Sequence, residues 1–313
     1  MRKKFYTTNI IILFLIVNIV IIANFNHLPE VKAEMVITEK WSYAVGAGIY
    51  SNPQVSDLED DGDLEIVFTS IDKNLYCLDE VGTKLWNYSA SSSAEPTPLV
   101  ADLDDDGYKE VVFTSLDHNA YCISYDGNHL WNYDTGTTIV SSATAADLDD
   151  DGTLEVLFGC LDKNVYCISD TGTKEWNYST GHYVYARPLV VDIDDDNVEE
   201  ILFGSYDEYF YCLDNTGSYL WSYPLYSSIG WSAAAGDIDN DNVVEVVVPT
   251  HGGRLSAFRD PGINEWVFFP GGSLREPFIT DLDLDSNLEL LSHQIMVFSS
   301  VLMVQEVCFG ILI

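Results

Sequence analysis

Six nine-residue stretches of this chain concentrate carboxylates at alternate places. In the second, Asp102, Asp104, Asp106 and Glu110 hold the first, third, fifth and ninth places, and Gly107 the sixth. The same places carry Asp57, Glu59, Asp61 and Glu65; Asp147, Asp149, Asp151 and Glu155; Asp192, Asp194, Asp196 and Glu200; Asp237, Asp239, Asp241 and Glu245; and Asp281, Asp283, Asp285 and Glu289. Alternate residues of a tight loop can turn their carboxylates to one point. A hard cation such as calcium takes roughly six to eight oxygens there. Carboxylates packed this closely repel one another unless a cation sits among them; the bland alternative is a solvated acidic turn. The expected cofactor is calcium, about one per repeat, in a structural role. The sixth place is Gly62, Gly107 and Gly152, then Asn197, Asn242 and Ser286. Glycine takes positive φ freely, asparagine less so and serine least, so the sixth loop is expected to bind most weakly.

The spacing of these loops shows what positions them. Their first residues recur every 45 residues, the last interval being 44, and Trp41, Trp86, Trp131, Trp176, Trp221 and Trp266 keep the 45-residue step throughout. So do Gly82, Gly127, Gly172, Gly217 and Gly262. Within one repeat an apolar run (98–101) precedes the loop. β-Branched and aromatic segments at 110–115, 120–124 and 129–133 follow it, punctuated by Asp117-His118-Asn119 and Asp126-Gly127. These read as four short antiparallel strands. A period near 45 residues built from four strands makes an all-β β-propeller, with one blade per repeat. Six repeats supply first strands, but the sixth has no Trp-bearing fourth strand. Either the segment at Trp41 completes a last blade that is degenerate from about residue 278 and closes a six-bladed ring, or the chain is a shortened version of a seven- or eight-bladed propeller.

The loop pattern Asp-x-Asp-x-Asp-Gly-x-x-Glu, between an apolar and a β-branched segment, resembles the FG-GAP/VCBS repeats of integrin α-like propellers. It differs from an EF-hand, whose bidentate glutamate stands at about the twelfth place. The second half of each unit, such as Leu75 to Trp86, resembles the tryptophan-docking repeats of pyrroloquinoline-quinone (PQQ) dehydrogenases. The resemblance implies a propeller whose metal loop joins the first and second strands, with ligands meeting the opposite face.

The chain has 313 residues, with 50 acids against 14 bases and a formal net charge of -36. That argues against nucleic acid or an anionic membrane surface as partner. Thirty of the acids lie in the six loops. Arg2, Lys3 and Lys4 precede an apolar run from Ile10 to Ala23, and Val31-Lys32-Ala33 offers small residues for cleavage. Residues 1–33 therefore read as a secretory signal, or as a retained membrane anchor, with 34–313 as the propeller outside the cytoplasm. The membrane is a partner only through that segment.

Cys77, Cys122, Cys167 and Cys212 share one repeat position and read as small buried hydrophobes. Cys160 could face Cys167 across a hairpin and form a disulfide. The recurring Trp and Tyr residues read as packing between blades rather than as a sugar-stacking surface, and the histidines follow no metal-ligand spacing. Residues that break the repeat are the candidates for ligand binding: Tyr50, Glu95, Tyr185, Arg187, Trp231, Arg275 and Glu276, all in segments that lead into a blade, with His182 and Tyr183 nearby. The function expected is a non-enzymatic binding or adhesion module for a protein or glycan at the cell surface. The alternative is a propeller enzyme, a PQQ-dependent dehydrogenase or a polysaccharide lyase. Near-equal repeats offer the former no unique cofactor blade, and the latter only Arg187 and Arg275 to neutralise an acidic substrate.

Overall fold

The computed structural model describes residues 40–269, 273–280, 288–298 and 301–309. Its described elements are all strands. The first blade holds β1 (Gln54–Ser56), β2 (Glu65–Thr69), β3 (Asn74–Leu78) and β4 (Lys84–Ser89). The second holds β5 (Leu99–Ala101), β6 (Glu110–Thr114), β7 (Asn119–Ile123) and β8 (His129–Asp134), and the third β9 (Thr144–Ala146), β10 (Glu155–Gly159), β11 (Asn164–Ile168) and β12 (Lys174–Ser179). Then come β13 (Leu189–Val191), β14 (Glu200–Gly204), β15 (Tyr209–Leu213) and β16 (Tyr219–Pro224), and in the fifth blade β17 (Ala234–Gly236), β18 (Glu245–Pro249), β19 (Leu255–Arg259) and β20 (Ile263–Phe268). The sixth sheet has three strands, β21 (Ser273–Thr280), β22 (Glu289–Phe298) and β23 (Val301–Phe309). Each sheet is an antiparallel meander in chain order. First strands of successive blades neighbour one another, β1 with β5, β5 with β9 and β9 with β13, so they stand nearest the axis. The molecule is a β-propeller.

Chain direction assigns two faces. Each acid loop, between first and second strands, shares the near face with the turn between third and fourth strands. The turn between second and third strands shares the far face with the linker to the next blade.

The cores lie between blades. Val112, Cys122 and Trp131 of the second blade pack with Val156, Phe158 and Tyr166 of the third, and equivalent sets join the first to the second, the third to the fourth, the fourth to the fifth and the fifth to the sixth. A second strand covered on both sides has no polar face, which is why β2, β6, β10, β14 and β18 are buried at every residue. Fully burying a side chain the size of Phe113 or Phe158 contributes about 1.5–3 kcal/mol, which makes these sheet-to-sheet contacts the main stabilising term.

The tryptophans lock neighbouring blades. A Cβ on Gly127 would lie 2.7 Å from the Trp86 ring, and on Gly172 the same distance from Trp131. Both glycines also hold positive φ, 88° and 82°. The indole Nε1 of Trp86 donates to the Tyr125 carbonyl at 2.8 Å. Trp41 docks in the same way onto Gly82 and donates to the Glu80 carbonyl at 3.0 Å. The N-terminal segment thus packs on the first blade as a preceding blade would, with Tyr43, Val45 and Ile49 against Ile66 and Phe68. Residues 40–53 carry no strand, however, and the sixth sheet is described without a fourth.

The cysteines face the tryptophans: Cys77, Cys122, Cys167 and Cys212 pair with Trp86, Trp131, Trp176 and Trp221, and Ala257 with Trp266. Opposite an indole only a small side chain fits. Burial pushes the Cys77 thiol up to about 12 and the other three further, so they are inert. The Cys160–Cys167 disulfide does not form. Leu157, not Cys160, stands opposite Cys167, and Cys160 starts the turn, its Sγ beside Thr135.

Candidate functional site

The acid loops are held by their own backbone. In the second loop the carboxylate of Asp102 accepts from the N–H groups of Asp106 and Gly107 at 3.1 and 3.0 Å. The other described loops repeat both bonds. Positive φ is required twice, at the fourth place (Asp105, 57°) and at the sixth (Gly107, 91°). Asn197 and Asn242 meet the second requirement at 66° and 68°. The ninth residue opens the second strand. Glu110 is 5 % exposed, and its Oε2 accepts from the Leu103 N–H at 2.9 Å.

This brings three carboxylates together in each of four blades. The groups are Asp102, Asp104 and Glu110; Asp147, Asp149 and Glu155; Asp192, Asp194 and Glu200; and Asp237, Asp239 and Glu245, with ligand oxygens within 4.8 Å of one another. In the first loop Glu59 takes the third place, and Asp57, Glu59 and Glu65 form no such group among the described residues. The fifth-place residues are not in the groups. Asp61, Asp106, Asp151, Asp196 and Asp241 each accept from the N–H two residues on. Asp281, Asp283, Asp285 and the side chain of Glu289 lie outside the described residues.

Burial, followed by the charge of neighbouring carboxylates, pushes Glu110, Glu155, Glu200 and Glu245 up to about 7. Glu245 Oε1 is buried with no hydrogen-bond partner while Oε2 holds the Ile238 N–H. A carboxylate anchored on one oxygen and orphaned on the other, beside two aspartates, suits a hard oxygen-seeking cation.

The far face is built differently. Its repeated part ties blades together. Tyr76, Tyr121 and Tyr211 donate to Asp72, Asp117 and Asp207, whose carboxylates also accept from Gly46, Ser91 and Gly181 N–H groups of the preceding linker. Burial opposes ionisation of Asp72 and Asp117, but these hydrogen bonds prevail and hold both below the usual carboxylate range. The signal was in the sequence as Asp four residues before Tyr, at 72, 117, 162 and 207.

Nearer the axis, hydroxyl side chains link successive linkers. The N–H of Asn52 donates to Thr97 Oγ1, that of Thr97 to Ser142 Oγ, and that of Arg187 to Ser232 Oγ. Arg187 therefore stands where other blades carry Asn52, Thr97, Ser142 and Ser232. Trp231 stands where they carry Ser51, Pro96, Ser141 and Ala186. Arg275 and Glu276 sit where the pairing of β21 with β22 shifts between Leu274 and Pro277, a bulge that re-aims side chains.

These departures meet. Arg187 Nη2 pairs with Glu276 Oε1 at 3.1 Å. The Arg275 guanidinium lies 5.4 Å over the Trp231 ring. Trp231 contacts His251 at 6.2 Å, and His251 Nε2 shares a 2.8 Å hydrogen bond with the Tyr206 hydroxyl. Tyr206 in turn contacts Tyr185 at 4.5 Å and His182 at 6.1 Å. Of the seven residues expected to bind ligand, five fall in this cluster. Tyr50 and Glu95 are exposed in linkers of the first and second blades. Sequence reasoning missed Tyr206 and His251, although both break a position held by Ile71, Leu116 and Leu161.

No family model matches the chain, and no curated protein is similar enough to match. Among solved structures it is similar to the Vibrio cholerae biofilm matrix protein Bap1, at 22 % identity and a TM-score of 0.57 over 72 % of this chain. The match spans 41 % of the Bap1 chain, well under half its length. BBS1N, from its complex with ARL6DN, is similar at 12 % identity and a TM-score of 0.61, over 80 % of this chain and 78 % of its own. Likeness at these identities shows the fold, a β-propeller.

Proposed function

We propose that this protein is an exported, calcium-stabilised β-propeller that acts as a non-enzymatic binding or adhesion module for a protein or glycan at the cell surface. Residues 1–33 direct export and 34–313 form the propeller. Asp and Glu at the first, third and ninth loop places hold calcium, with backbone carbonyls and water filling the shell. Bound calcium neutralises the loop and pins the entry to each second strand. The repeated near face is therefore scaffold.

The observation that carries the reading is the contact chain from Arg275 through Trp231, His251 and Tyr206 to Tyr185. It lies where the blades stop repeating, on linkers, turns and the start of β21 at one face of the propeller, and loops set on a scaffold are the usual place for binding residues. Likeness to a biofilm matrix protein is consistent with a role outside the cell. The test is a screen of cell-surface proteins and glycans against the calcium-loaded chain. Replacing Arg187 and Trp231 together with alanine should abolish the binding found while the calcium-dependent rise in Tm persists. Undiminished binding by that variant would overturn the assignment to this mouth.

A further inference from the structure

We propose that the far-face mouth recognises an acidic carbohydrate, a glycan bearing carboxylates such as uronates; this rests on the reading of that mouth as the binding site. The cluster offers ring faces and donors but few free acceptors. Tyr183 is 38 % exposed and contacts Tyr185 at 6.2 Å, which extends the aromatic track outward from Tyr206. Tyrosine and tryptophan rings present flat apolar faces with polar tips, the form that packs against a sugar's C–H face while leaving its hydroxyls hydrogen-bonded.

Charge selects among carbohydrates. Arg275 is exposed and has no ion pair among the described residues, and its guanidinium lies over an indole, 5.4 Å from the ring centroid. A guanidinium so placed matches a carboxylate bidentately. Beneath it, Trp231 Nε1 is a buried donor without an acceptor. An exposed guanidinium without an ion pair, over an indole whose own donor lacks an acceptor, suits an anionic oxygen ligand. Two of the nearby carboxylates are already engaged: Glu276 is paired with Arg187, and Asp207 accepts from Gly181 and Tyr211. Glu208 is exposed on the turn that carries Tyr206. The overall charge of -36 would repel such a ligand, but most of the acids sit in the near-face loops, and bound calcium offsets part of them.

The test measures binding of short oligogalacturonates and of their carboxyl-reduced counterparts to the calcium-loaded full chain. The acidic form should bind at least about tenfold more tightly, the effect of one charge-assisted contact. Arg275→Gln should remove that difference without changing the melting curve, and Tyr183→Ala should weaken both forms. Asp104→Asn, on the other face, should leave both unchanged. Equal affinity for the two forms overturns the proposal, and so does a loss caused by Asp104→Asn rather than Arg275→Gln, which would place the ligand on the loop calcium. If no oligosaccharide binds but a surface protein does, lost in the Arg187/Trp231 variant, the mouth stands and the acidic-carbohydrate assignment falls.

Discussion

The two faces of this propeller are built from the same 45-residue unit and obey opposite rules. On the near face each described loop repeats the same backbone bonds to its first aspartate and the same buried glutamate. On the far face the repeat breaks: the linkers into the fourth and fifth blades carry Arg187 and Trp231 where others carry smaller residues, the turns of those blades carry Tyr206 and His251 where others carry Ile or Leu, and Arg275 and Glu276 stand in β21. Repetition marks what every blade needs in order to stand beside its neighbour. Departure from it marks what one place on the ring does alone. A carboxylate group present in four of the five described loops is therefore poor evidence for function, although its chemistry is the most conspicuous in the chain.

Chelation should separate the faces most widely. A ligand at one hundred times its Kd stabilises by about 2.7 kcal/mol per site. Four loops bring three carboxylates together, so removing calcium with EGTA should lower Tm by roughly 10 °C or more. An unchanged melting curve would sink the calcium reading and leave the loops as solvated turns.

Glycines beneath the tryptophans come next. Gly127→Ala meets the Trp86 ring at 2.7 Å with φ at 88°. Overpacking and left-handed strain together should cost on the order of 3 kcal/mol. Gly136 also has positive φ, 72°, but nothing lies within 4 Å of a Cβ there, so Gly136→Ala should cost only about 1 kcal/mol. Urea unfolding of both variants measures the difference. Equal costs would mean that backbone strain alone, not tryptophan docking, fixes these glycines.

A smaller effect isolates the buried glutamates by pH. Glu110, Glu155, Glu200 and Glu245 stand near 7 in the metal-free fold, above the ordinary carboxylate value of about 4.3. A raised folded value gives stability that is complete below the unfolded value and lost as pH rises through the folded one. The chelated protein should therefore melt lower at pH 8 than at pH 5, and Glu110→Gln should reduce that slope. Asp72 and Asp117 act with the opposite sign, because depressed carboxylates lose their contribution only as pH falls toward 4 and below. With calcium bound, the slope between pH 5 and 8 should reverse, since protons then compete with the metal. A chelated protein whose Tm rises from pH 5 to pH 8 contradicts the burial of these carboxyls.

Most of the scaffold was legible because its physics is local and repeated. Acid spacing, the Asp-Gly turns and the tryptophan step each fix a bond or contact within one unit or between two neighbours, and the cysteines read as small buried hydrophobes for the same reason. What the sequence hid was register and assembly. Cys160 and Cys167 looked opposed until pairing placed Leu157 across from Cys167. The fifth-place aspartates looked equivalent to the third, yet they close their own turns. Five of the seven repeat-breaking residues meet, but that Arg187 reaches Glu276, 89 positions away, depends on the curvature of the ring. Tyr206 and His251 were visible as departures, but only their place beside Trp231 gave them a meaning.

The smallest effect on stability bears most directly on function. The Arg187–Glu276 pair has side chains 44 % and 36 % exposed, and such pairs contribute about 0–1 kcal/mol. Arg187→Met should shift Tm by no more than about 2–4 °C, because the linker's N–H bond to Ser232 Oγ is made by backbone and survives the change. A double-mutant cycle with Glu276→Gln should give a coupling of a few tenths of a kcal/mol, falling as salt is raised. If Arg187 served the scaffold, its loss would approach that of Gly127. If it serves the mouth, the same variant should leave calcium-dependent melting intact and weaken the ligand, because an unpaired Glu276 would then face the binding site. A change that is nearly silent in stability and large in binding is what a departure from the repeat should produce, and no substitution in the near-face loops should share that signature.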